Sequence, residues 1–146
     1  EEDAKLPGLV PDGTYHGAIT GVQYDSDKAA IIWNVTLDGN GGMCTDDETE
    51  VDGNTLTFTN WLPRPGDDDI RTSSGKQTKR QAKINMMAEF MKKMQFTQGT
   101  VGEVIEAISN GEFVGTDVDV QVGCREWQGS MFNEIRRMFI PVNAEF

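Results

Sequence analysis

From residue 29 to residue 37, apolar side chains occupy every second position. Ile31, Trp33, Val35 and Leu37 share one face, and Ala30, Ile32, Asn34 and Thr36 share the other. A period of two marks a strand with one buried face. Weaker alternation predicts a first strand over residues 13–24, with Gly17 and Gly21 as bends or bulges, and a third over residues 55–62, with Leu56 and Phe58 on one side. Pro63, Pro65 and Gly66 close the third strand. The period then changes. Within residues 77–94, Ile84, Met87, Met91 and Met94, with Phe90 alongside, recur at helical spacing. Ser73 or Ser74 is the expected N-cap, and Gly99 lies past the end. A second helix is expected over residues 101–108, where Thr100 and Glu103 have the spacing of a capping box. Two more strands follow, over residues 116–125 and 133–140, joined by a turn at Trp127-Gln128-Gly129-Ser130.

Three strands, a helical insert and two strands predict a mainly β protein. The expected architecture is a five-stranded OB-fold barrel, partly open, with the helices between strands three and four. The 146 residues make one domain, residues 1–8 reading as a flexible acidic leader and 142–146 as a short C-terminal tail. Hydrophobic content of 37% with 25% charge is that of a globular chain. No apolar run approaches the roughly 18 residues that span a bilayer, so no membrane partner is expected. Cys44 and Cys124, far apart, read as free thiols and suggest a cytoplasmic setting.

A net charge of −11 at first argues against a polyanionic ligand. Charge is segregated, however. Residues 71–93 hold seven bases and one acid, a local charge of +6, leaving −17 on the remainder. With a Debye length of about 8 Å in physiological salt, the local patch outweighs the sum. The acidic remainder favours solubility and discourages indiscriminate binding to duplex DNA.

Several motifs fall short of catalysis. Residues 70–77 imitate a phosphate loop, but Ile70 stands where the first Gly is needed and Gln77 where Ser or Thr is needed. Glu48, Glu50, Asp52 and Gly53 open like a calcium loop, yet its twelfth position is Thr59, inside a predicted strand. Asp67, Asp68 and Asp69 have the chemistry for magnesium, although adjacent acids in a Pro/Gly loop are ordinarily solvated. His16, Cys44 and Cys124 lack zinc spacing, and His16 reads as an ordinary strand histidine. No cofactor, metal or enzymatic activity is expected.

The aromatics divide by phase. Trp33, Phe58, Phe90, Phe113 and Phe139 read as core. Trp61 ends a strand out of phase with Leu56 and Phe58, and Trp127 sits at a hairpin turn between Arg125 and Gln128. Exposed aromatics beside a cation suit stacking on nucleobases, each of which has a π face and a phosphate nearby. Trp127, Trp61 and, third, Tyr24 are the candidate stacking residues. Arg64, Arg71, Lys76, Lys79, Arg80, Lys83, Arg125, Arg136 and Arg137 are the candidate phosphate contacts. Lys79, Arg80 and Lys83 fall on the first turns of a helix, where the macrodipole disfavours cations unless an anion occupies that end. Arg136 and Arg137, adjacent on a strand, are expected on opposite faces.

Leu6-Pro7 with Pro11-Asp12-Gly13-Thr14-Tyr15-His16-Gly17-Ala18-Ile19 resembles the opening of bacteriophage single-stranded-DNA-binding proteins, formerly catalogued as a domain of unknown function. Val114-Gly115, Val118-Asp119-Val120, Trp127-Gln128-Gly129, Asn133-Glu134-Ile135 and Pro141 are similar to their final hairpin. The resemblance implies an OB-fold that coats single-stranded DNA, with little sequence preference, during phage DNA replication and recombination in the host cytoplasm. It also implies replication or recombination partners bound through an acidic C-terminal tail ending in an aromatic. Here Phe146 fits, but Glu145 is the tail's one acid. Monomer and homodimer are both open. The leading alternative is a virion structural or protein-interaction OB module without specific DNA binding.

Overall fold

The computed structural model describes residues 8–67, 70, 75 and 77–141. Among the described residues there are five strands, β1 (Gly13–Asp25), β2 (Ala30–Leu37), β3 (Thr55–Trp61), β4 (Asp117–Trp127) and β5 (Ser130–Phe139). Helices α1 (Lys79–Lys93) and α2 (Val101–Ser109) lie between β3 and β4. All strand pairs are antiparallel, in the order β3-β2-β1-β4-β5. The two outermost strands, β3 and β5, also contact each other.

Alternation in β2 is realised as read: Ile31, Trp33, Val35 and Leu37 are fully buried. Their face continues through Ile19 on β1, Val118, Val120 and Val122 on β4, and Ile135 and Met138 on β5. Met87 and Phe90 of α1, its C-cap Met94, and Val104 and Ala107 of α2 cover it. Trp33 anchors the core. Its ring centroid lies 5.5 Å from Phe90 and 5.3 Å from Phe113, and its indole N–H donates to Asn60 Oδ1 at 2.6 Å. Phe139, expected in the core, is only half-buried, because β5 turns it to the outer face opposite Asp119.

Several boundaries differ from the sequence reading. α1 begins at Lys79 and is capped by Thr78, whose hydroxyl accepts from the Gln81 N–H; Ser73 and Ser74 lie outside the described residues. α1 ends with Gln95 in the left-handed region (φ 56°), well before Gly99. The Phe96 and Gln95 N–H groups reach back to the Met91 and Lys92 carbonyls, which is a Schellman closure. α2 carries the complete Thr100/Glu103 capping box. In β1 the register shifts between Ile19 and Gly21, so Gly21 adjoins a bulge while Gly17 stays in the ladder.

The turn expected at Trp127-Gln128-Gly129-Ser130 forms there, with Gln128 and Gly129 at its centre. Gln128 and Gly129 both have positive φ (52° and 81°), the I′ geometry that matches strand twist, and the strands pair up to Trp127 and Ser130. At the N-terminal side, the Asn133 side chain accepts from the Val10 N–H at 2.8 Å and donates to the Val10 carbonyl at 2.9 Å. Val10, ahead of β1, thereby joins β5 as if by one more pair of ladder bonds. Among the described residues no helix is long and apolar enough to cross a membrane. The C-terminal tail lies outside the described residues.

Candidate functional site

The β4–β5 ribbon projects past the sheet. Pairing of β1 with β4 stops at Gly13 and Val122, whereas β4 and β5 stay paired five residues further, to Trp127 and Ser130. Side chains two apart on a strand, and those directly across it, share a face. Arg125 and Trp127 therefore face the same way, and Phe132, paired with Arg125, joins them. Trp127 is 56% exposed and Phe132 48%, too much for either ring to serve the core. Arg125 is exposed beside Glu134, at 4.0 Å. Sequence reasoning missed Phe132 because it started β5 three residues late.

Further along β5, the expectation for Arg136 and Arg137 fails. Gln121 pairs with Arg137 but Val122 with Ile135, so Arg136 is the extra residue of a bulge. The bulge breaks the alternation and leaves both arginines exposed. Arg136 lies across Gly123, where even a Cβ would collide with the guanidinium. It is held there by Glu134 (3.2 Å) and the Cys124 carbonyl (3.2 Å). Lys92 and Lys93, in the last turn of α1, line one groove with Arg137. Neither lysine was singled out from sequence.

The remaining candidates among the described residues lie at the opposite end of the sheet. Trp61 pairs with Ala30, which pairs with Asp25 at the C-terminal end of β1, while Trp127 lies beyond its N-terminal end. Trp61 is 54% exposed. Tyr24 belongs to the neighbouring row, with Ile31 and Asn60, so the register sets it on the other face from Trp61. Arg64, Lys79 and Arg80 are exposed near this end. Lys83 is not exposed: its ammonium meets the buried Asp67 carboxylate at 2.8 Å. The Lys83 hydrogen bond, the Arg64 backbone N–H and the charges of Lys83 and Lys79 hold Asp67 below the usual carboxylate range. The anion that rationalises cations at the start of α1 is thus internal. Arg71, Lys76, Asp68 and Asp69 lie outside the described residues.

Other chemistry is sparse. Burial is the main cause pushing both thiols, Cys44 and Cys124, above their ordinary range, which makes them poor nucleophiles at neutral pH. His16 faces three carboxylates, Asp119 at 3.3 Å, Asp117 at 3.7 Å and Asp38 at 3.9 Å. Asp52 of the calcium-like stretch accepts from the Asn40 and Gly41 N–H groups, which keeps it ionised within the loop. Among the described residues no group of three or more His, Cys, Asp or Glu is arranged to hold a metal ion. No protein-family model matches this chain, and no curated protein sequence matches it.

Proposed function

We propose that this chain is an OB-type barrel that binds single-stranded DNA with little sequence preference and without catalysis, in the manner of the phage proteins it resembles. The observation that carries this reading is the outward face of the β4–β5 ribbon, where Trp127 and Phe132 flank Arg125. Two exposed rings beside a guanidinium offer stacking and phosphate pairing together. The strand order is compatible with a barrel, since β3 and β5, the two outermost strands, contact each other. The two stretches that carry the resemblance are also neighbours, since β1 pairs with β4.

The test is a fluorescence titration with oligo-dT. Tryptophan emission should quench, and affinity should fall with salt at a log–log slope of roughly −0.7 per phosphate neutralised. Trp127→Ala should cost about 1–3 kcal/mol of binding. Unchanged emission and salt-independent retention would overturn the reading.

One observation favours the second reading, a protein-docking module. Leu9, Leu56, Met131 and Phe132 line a mainly apolar groove of about 510 Å³ at the base of the same ribbon. Equal, weak retention on single-stranded DNA and on any other polyanion would favour that module.

A further inference from the structure

The groove between the last turn of α1 and β5 joins residues more than forty positions apart in sequence. Lys92, Lys93 and Arg137 line it, Phe139 and Ile140 supply its apolar wall, and its volume is about 490 Å³. The Ile140 N–H donates to the Lys93 carbonyl at 3.3 Å, fixing the helix end against the strand. An adjoining hollow adds Arg136 and shares Lys93 and Arg137. Among the described residues, Glu89 is the one carboxylate lining either.

The helix dipole accounts for two lysines at a helix C-terminus. It does not account for two arginines brought alongside them. That follows from the β5 bulge, which turns Arg136 and Arg137 both outward. In a chain of net charge −11, three cations lining one groove, with Arg136 next to it in a pair with Glu134, form a local exception to the field of the whole molecule.

From this convergence we infer that the α1–β5 groove is a phosphate track, continuing the path of a single strand that stacks on Trp127. The inference rests on the proposed binding of single-stranded DNA. The groove and the ribbon tip lie on the same strand, from Ser130 to Arg137, roughly 20 Å apart at about 3.3 Å per residue. That span suits the several nucleotides an OB fold engages. Lysine and arginine there contact the sugar–phosphate chain and leave base identity unread.

The experiment compares salt titrations of oligo-dT binding for the wild-type protein, Lys92→Gln/Lys93→Gln, Arg137→Gln, Trp127→Ala and Lys28→Gln. Lys92, Lys93, Arg137 and Lys28 are exposed, and circular dichroism checks each fold. The Lys92/Lys93 double variant should lower the magnitude of the slope by about 1.4, and Arg137→Gln by about 0.7. Both should still quench at low salt. Lys28→Gln, in the β1–β2 turn, should leave the slope unchanged, which separates the groove from mere net charge. Glu89→Gln should tighten binding about two- to fivefold. If the groove variants keep the wild-type slope and affinity while Trp127→Ala weakens binding, the track is wrong and the function stands. If the wild-type protein itself fails to bind, both fall.

Discussion

Removing the Asn133 amide would strand a donor and an acceptor at once. Val10 is buried, and both its backbone polar groups end on that side chain. Asn133→Ala should therefore lower stability by about 1–3 kcal/mol. It would appear as a lower urea midpoint with an unchanged m value, and a wild-type midpoint would show that the clamp adds nothing. Single residues also show where sequence reasoning succeeds. Trp61 and Trp127 could be read as exposed because each breaks phase with its apolar neighbours or ends a strand. Lys83 could not be placed, because its partner Asp67 is sixteen residues earlier, in a loop. The joining of Lys92 and Lys93 with Arg137 exists only in space, and no local pattern records it.

Among the elements, α1 ends on a conformation its residue does not favour. An L-residue in the left-handed region costs roughly 1 kcal/mol, which glycine escapes. Gln95→Gly should therefore stabilise the protein by about 0.5–1 kcal/mol, offset in part by the freer unfolded chain. Thermal unfolding would reveal it, and a lowered midpoint would mean the Gln95 side chain holds the helix end by some other contact. Existence and type of the seven described elements were legible, from the strong alternation of β2, the weaker alternation of β1 and β3, the helical spacing in α1 and the capping box of α2. Their ends were less so. The turn at residues 127–130 was read in place, but the strands beside it were ended at Arg125 and begun at Asn133, so the ribbon was read short and Phe132 was lost to it. The β5 bulge leaves no trace in residue identity, and it alone sets both arginines outward.

For the molecule as a whole, acid should be the most damaging change of solvent. Asp46, Asp52 and Asp67 are each held below the usual carboxylate range, the first two mainly by backbone N–H groups and the third mainly by Lys83. A carboxylate that binds its proton less readily when folded adds stability above its unfolded pKa of about 3.9. That stability is lost as pH falls through the folded value. Urea midpoints should hold steady near neutrality and decline below about pH 4. The decline should be shallower in Asp52→Asn, which starts less stable; an identical profile would show that Asp52 is not involved. The mainly β plan, with two helices between β3 and β4, was legible in the order of periods alone. The contact of β3 with β5 was not, since the two are separated by both helices. Distance along the chain has one more consequence. Val10 and Asn133 are 123 positions apart, and contacts of such span form slowly and late. During synthesis, the segment around Val10 must wait, its backbone solvated, until Asn133 has emerged. A stalled or shortened nascent chain would leave that segment open to proteases and to the wrong strand edges.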